Sequence, residues 1–263
     1  MDPLTHTLVG ANLASTRLGS TTRLAAAALV IGANLPDVDS ILYFTGQSDL
    51  ALDFRRGWTH GVLAIVVLPL LLAGVLWLID RRSKPAALLG LSALAVLTHP
   101  ALDWLNSYGL RWLMPFRGTW FYGDSVYIMD PWLWLILGCG WLAGRSPSRW
   151  LVALWAVFAL LIAWVVSRRS PEYLVVVAIV AVVLLAALIW RPRIDARRLA
   201  AIALALAAAY IGARLSIHAV VAEKVRRELA PIRLMVGPDP IDPLRWDVVA
   251  QIDGGWRRRD RRR

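Results

Sequence analysis

Long apolar runs constrain this chain more than any other feature. Gly61–Ile79, Ala86–Leu105, Trp150–Ser167 and Tyr173–Trp190 each approach the roughly 20 residues an α-helix needs to cross a bilayer. Leu199–Val221 is a fifth such run, despite Arg214 and His218. Pro131–Gly144 is shorter, but Trp132, Trp134 and Trp141 suit anchoring at both membrane interfaces. Leu4–Leu18 and Arg23–Asn34 read as two short helices, either brief spans or a re-entrant pair, joined by the turn-like Gly19-Ser20-Thr21-Thr22. No internal repeat is visible. The expected fold is therefore all-α, a polytopic membrane bundle of seven to eight membrane helices with a short extramembranous C-terminal tail. Its expected parts are a membrane-embedded half over 1–145, further transmembrane helices over 146–222, and a basic tail over 223–263.

Composition excludes the other classes. With 58% hydrophobic and 18% charged residues, the chain holds more apolar surface than one water-soluble core of 263 residues can bury, and it is far from the profile of a disordered chain. A single cysteine, Cys139, rules out a disulfide framework and a cysteine-built zinc module. The N-terminus carries Asp2 and His6 and no basic stretch, so no cleaved signal peptide is expected there. The net charge of +11 does not point to nucleic acid, because eleven of the basic residues follow Val221 and most others sit in loops between apolar runs.

Those loops give an orientation. Arg17, Arg23, Arg81, Arg82, Lys84, Arg145, Arg149, Arg191, Arg193, Arg197 and Arg198 fall on one face of the threaded chain. Only Arg55, Arg56, Arg111, Arg117, Arg168 and Arg169 fall on the other. The richer face is read as cytoplasmic, although the basic tail then lies outside, against the trend.

An ionisable side chain at mid-membrane costs about 2.5–3.5 kcal/mol on insertion scales, which makes each one a functional candidate. Eight gather in the first half: His6, Asp37, Asp39, His60, His99, Asp103, Asp124 and Asp130. Threading places all eight near the non-cytoplasmic face, although the topology was assigned from Lys and Arg alone. His99 and Asp103 are four residues apart, so on a helix they share a face; Pro100 is tolerated there if it stands in a first turn. Three imidazoles with several carboxylates suit zinc or another first-row divalent ion better than calcium, and they suffice for one or two ions, with Asp37 or Asp103 bridging. Singly, each residue has a plainer reading: a capping histidine, turn-forming Asp37 and Asp39 beside Pro36, an N-cap at Asp130 before Pro131. Their shared face argues for the joint one. His218, with Arg214 four residues before it and no acidic neighbour, reads as structural, or as facing an interior cavity with Arg214.

The ordered segments His6, Asn34-Leu35-Pro36-Asp37-Val38-Asp39, Arg56-Gly57-Trp58-Thr59-His60, His99-Pro100-Ala101-Leu102-Asp103, Tyr108-Gly109, Pro115-Phe116 and Asp124…Asp130-Pro131-Trp132 resemble the bacterial YdjM-like family over about residues 1–144. That resemblance implies an inner-membrane, multi-pass protein described as a metal-dependent hydrolase, with a metal site built from these histidines and aspartates. The order His6, Asp37, His60, His99…Asp103 is also similar, more loosely, to zinc-dependent phospholipase C and single-strand nucleases. The further histidines of that group are missing here.

The expectation is thus a hydrolase with metal ligands His6, Asp37, His60, His99, Asp103 and Asp130. Asp39 or Asp124 is its general base. Arg55, Arg56 and Arg117 hold a phosphate-containing or lipid-like substrate, since guanidinium forks suit phosphate. Membrane lipid is the expected partner. A cation transporter and a scaffold with a structural metal are the alternatives; transporters usually place such groups at mid-membrane in repeated halves.

Overall fold

A computed structural model describes residues 1–46, 49, 54–143, 149–169 and 195–262. They divide into two compact units, Met1–Gly123 and Asp124–Arg263.

In the first unit, α1 (Pro3–Ser15) begins where Asp2 caps it, its carboxylate accepting from the Leu4 and Thr5 amides at 3.0 and 3.1 Å. A 3-10 turn (Arg17–Ser20) leads to α2 (Ala25–Gly32), and a second 3-10 helix (Leu35–Thr45) follows at a 50° bend. Two glycines let these elements touch. A Cβ on Gly10 would lie 2.7 Å from the Leu29 carbonyl oxygen, and one on Gly32 would lie 2.8 Å from Ala95 Cβ. Helices α3 (Val62–Ile79) and α4 (Pro85–Trp104) form a hairpin, and α2 packs on both. Ala25, Ala28, Leu29, Leu72, Leu88 and Ala95 belong to the core between them.

The α3–α4 connection is tied to the α1–α2 connection. Arg23 pairs with Asp80 at 2.9 Å, the Ser83 hydroxyl donates to the Arg23 carbonyl, and the Lys84 amide donates to Thr22 Oγ1. Two of the basic loops grouped on one face by the sequence therefore meet at one end of the unit. His6, Asp37, His60, His99 and Asp103 stand at the opposite ends of the same elements. Pro100 lies in the closing turns of α4 and not in a first turn. The helix continues through it, although its ring nitrogen has no proton to donate to the carbonyl four residues back.

In the second unit, α5 (Pro131–Ala143), α6 (Arg149–Arg169) and α7 (Ala196–Leu229) precede an antiparallel meander of β1 (Arg233–Pro238), β2 (Arg245–Ile252) and β3 (Gly255–Arg262). The tail read as a basic strip is thus a sheet. Trp246, Val248 and Ala250 alternate along β2 as buried residues, and Trp246, Val248 and Val236 pack on Val221, Ala222 and Val225 of α7. Helix α7 outlasts its apolar run because helix formers continue to Leu229, with a Glu223–Arg227 pair at 2.7 Å. It stops at Ala230, in the left-handed region, before Pro231.

By length and composition, Val62–Ile79, Pro85–Trp104 and Ala196–Leu229 can each cross a membrane; counting the bent pair Ala25–Gly32 and Leu35–Phe44 as one broken span raises the number to four. Leu70, Leu71 and Leu78 on α3 are more than half exposed, as lipid-facing leucines are. The expectation of seven to eight membrane helices is not supported among the described residues. At a rise of 1.5 Å per residue, α1 and α2 extend only about 20 and about 12 Å, short of the roughly 30 Å hydrocarbon layer. The apolar stretches Pro131–Leu142 and Trp150–Val165 are also shorter than a span. The run Tyr173–Trp190 lies outside the described residues.

Candidate metal centre

Four side chains from three segments converge. Asp37 comes from the 3-10 arm after α2, His60 from the turn just before α3, and His99 and Asp103 from the last turns of α4. One donor atom from each lies within 4.8 Å of all the others. His60, His99 and Asp103 are fully buried, and Asp37 is 19% exposed.

The hydrogen bonds around the cluster decide which ring nitrogens face it. His99 Nδ1 lies 2.7 Å from the Ala33 carbonyl oxygen, which can only accept, so Nδ1 carries the proton and Nε2 presents a lone pair. The Thr59 hydroxyl donates to Asp39 Oδ2 at 2.9 Å and so has only its lone pairs to offer His60 Nδ1, also at 2.9 Å. That puts the His60 proton on Nδ1 as well. The two Nε2 lone pairs then face each other at 3.2 Å. Asp103 Oδ2 lies 3.3 and 3.6 Å from them, and Asp37 Oδ1 lies 3.8 and 3.6 Å away. Two lone pairs and two carboxylates turned inward repel one another unless a cation sits between them. A tetrahedral ion with bonds of about 2.0–2.1 Å has donor–donor edges of roughly 3.3–3.4 Å, close to the spacings found. The residues fit a divalent metal.

Neighbouring groups support this set. Burial, reinforced by nearby His99, holds the His60 pKa well below its ordinary 6.5 and keeps the ring neutral. Asp39 Oδ2 also accepts from the Arg56 amide at 3.1 Å. The Arg56 guanidinium is buried, 3.4 Å from Asp103 Oδ2, donating to Asn106 Oδ1 at 3.0 Å and lying over the Tyr108 ring. Burial, then the charge of Arg55, brings its pKa to about 10, so it stays charged at neutral pH.

The other sequence candidates fall as follows. His6 stacks on His99 with ring centroids 3.7 Å apart, and its Nε2 lies 3.3 Å from Asp103 Oδ1, which the Met1 amino group also contacts. His6 thus borders the four on the far side of Asp103. Asp39 is buried behind His60, 3.6 Å from its Nδ1. Arg55 is half-buried, 5.4 Å from the Tyr43 ring centroid. Arg117 is exposed beyond Phe116, and among the described residues it makes none of the contacts that build the cluster. Asp124 and Asp130 belong to the second unit and are not among the residues that converge. Asp130 caps α5 through the Trp132 and Leu133 amides and accepts from the Tyr210 hydroxyl at 2.9 Å. Arg214 is buried, donating to the Ser125 and Pro243 carbonyls beneath the Trp246 ring, and His218 packs against that ring. Sequence reasoning missed Thr59 and the Ala33 carbonyl. Thr59 could have been found from its place beside His60; a backbone carbonyl leaves no residue-type signal.

The chain is 26% identical over 168 residues to the uncharacterized protein YfhP of Bacillus subtilis, a match covering 60% of this chain and 51% of the relative. It therefore spans about half the length of that curated relative. No solved structure matches it. The looser likeness to zinc-dependent phospholipase C and nucleases is not shown by these matches. The YdjM inner membrane protein family matches residues 1–171, well over half of the sequence and all four converging donors, and the chain belongs to that family.

Proposed function

We propose that this protein is a membrane-embedded metal-dependent hydrolase whose metal, zinc or another first-row divalent ion, is held by Asp37, His60, His99 and Asp103. The observation that carries the reading is the pair of imidazole lone pairs facing each other at 3.2 Å between two carboxylates. Such an ion supplies Lewis-acid activation of water and of the bond under attack. His6, against the second oxygen of Asp103, extends the set toward a second ion. Asp37, partly exposed while the other three donors are buried, gives the cluster an opening, as catalytic sites have and closed structural sites lack. Asp39, accepting from the Thr59 hydroxyl and the Arg56 amide behind His60, holds that ligand's ring in place. Arg55 supplies a cation near the opening, suited to a phosphoester. Arg56, engaged with Asp103, positions that ligand. The excess of basic residues in the opposite loops supports a site on the non-cytoplasmic side of the inner membrane.

The test is direct. Purified protein is analysed for stoichiometric transition metal, then assayed on phosphomonoesters, phosphodiesters and carboxylic esters with and without chelator. Absence of metal refutes the reading; bound metal with chelator-sensitive turnover of one ester class supports it. A reporter fused within Asp80–Pro85 checks the orientation, and an outside signal there reverses it.

A further inference from the structure

Asp37 is the only one of the four donors open to the outside, so whatever reaches the metal passes along the 3-10 arm that carries it. A 3-10 helix has three residues per turn, so side chains three apart align in stripes. Pro36 and Asp39 are buried on one stripe. Asp37, Ser40 and Tyr43 form the second, with Arg55 5.4 Å from the Tyr43 ring. Val38, Ile41 and Phe44 form the third, and they are 50%, 62% and 89% exposed. At 2.0 Å per residue this apolar stripe is about 12 Å long, the length of roughly nine or ten methylenes. It begins next to a metal ligand, on the outer arm of a broken membrane span. The apolar stripe, the guanidinium beside Tyr43 and the cation-binding cluster at Asp37 offer one contact each to a lipid's acyl chain, its phosphate charge and its phosphoester oxygens.

We propose that this arm seats one phosphate-bearing lipid, with its acyl chain along Val38, Ile41 and Phe44 and its phosphate between Arg55 and the cluster at Asp37. The inference rests on the metal-dependent reading and gives it a substrate class. A surface merely bathed in bulk lipid takes any acyl chain equally. A seat completed by Arg55 and a bound cation discriminates by headgroup, and one charge-assisted contact corresponds to about tenfold in occupancy.

The experiment uses the full chain in non-ionic detergent micelles with a trace of one of two lipids, each carrying a photoreactive group in its acyl chain. One is a phosphonate lipid whose headgroup carbon–phosphorus bond resists hydrolysis; the other is the diacylglycerol with the same chains. After irradiation, labelled peptides are mapped and metal content is measured on the same sample. The expected result is labelling within residues 38–44 by the phosphonate lipid at about ten times the level of the diacylglycerol. Arg55→Gln, with metal retained, brings the ratio toward one. Equal labelling in metal-loaded protein overturns the seat and leaves the hydrolase reading intact. Labelling elsewhere, or crosslinking of two copies through the arm, does the same. Metal-free protein overturns both.

Discussion

Replacing Thr59 by Val tests the orientation of His60 without touching a donor. Valine keeps the shape of threonine and removes one oxygen, the acceptor 2.9 Å from His60 Nδ1 that also donates to Asp39. Asp39 retains the Arg56 amide and stands 3.6 Å from Nδ1, beyond hydrogen-bond distance. The ring then loses the contact that fixes its tautomer and direction, and Nε2 no longer faces His99 in one arrangement. Removing such outer partners of a ligating histidine typically weakens metal affinity 10–100-fold, which is about 1.4–2.7 kcal/mol. The expected outcome is a drop of that size in a competition titration against a chromophoric chelator, with stoichiometry at saturation unchanged. Unchanged affinity, in a variant that melts like the parent, would refute the assignment of Nε2 as the His60 donor.

Other perturbations separate site from scaffold. His99→Ala and Asp103→Asn each remove a donor from the cluster, so metal measured by mass spectrometry falls below stoichiometric while helicity by circular dichroism persists. Gly10→Val drives a side chain into the Leu29 carbonyl, 2.7 Å from where its Cβ would stand, and lowers stability by about 1–3 kcal/mol, read as a fall in melting temperature. Trp246→Ala empties the contact between sheet and α7, costs about 3–5 kcal/mol, and is read as lost amide protection across β1 and β2 with metal content unaffected.

Legibility in the sequence followed the physics of each element. Val62–Ile79 and Pro85–Trp104 were readable to within a residue, because an unbroken apolar run in lipid has no structure open to it but the helix. The short α1 and α2 were read too long, since an apolar stretch does not reveal how many of its residues remain helical before a bend. The sheet was missed although Arg245–Ile252 alternates and Asp253-Gly254 is a hairpin turn; the arginines of β3 masked the pattern. At the site, Asp37, His60, His99 and Asp103 were legible as ionisable groups out of place in apolar surroundings. Asp130 belonged by that same criterion, yet it also satisfies the N-cap rule, and in the structure capping is what it does.

The break after α2 explains why the donors can meet inside an apolar molecule at all. A helix leaves its last carbonyls unsatisfied, a serious cost away from water. Where α2 stops, the Ala33 carbonyl accepts a hydrogen bond from His99 Nδ1–H. That one bond satisfies the helix end and turns His99 Nε2 toward the cluster. The 50° bend then carries the 3-10 arm across, so that Asp37 closes the donor set while Asp39, two residues on, accepts from the Thr59 hydroxyl behind His60. An unbroken helix through residues 25–44 would satisfy Ala33 internally. It would also remove the acceptor that fixes His99. The donor cluster and the interruption of this span are therefore one structural event, and a variant that heals the break by replacing Pro36 is expected to hold no stoichiometric metal even with all four donors in place.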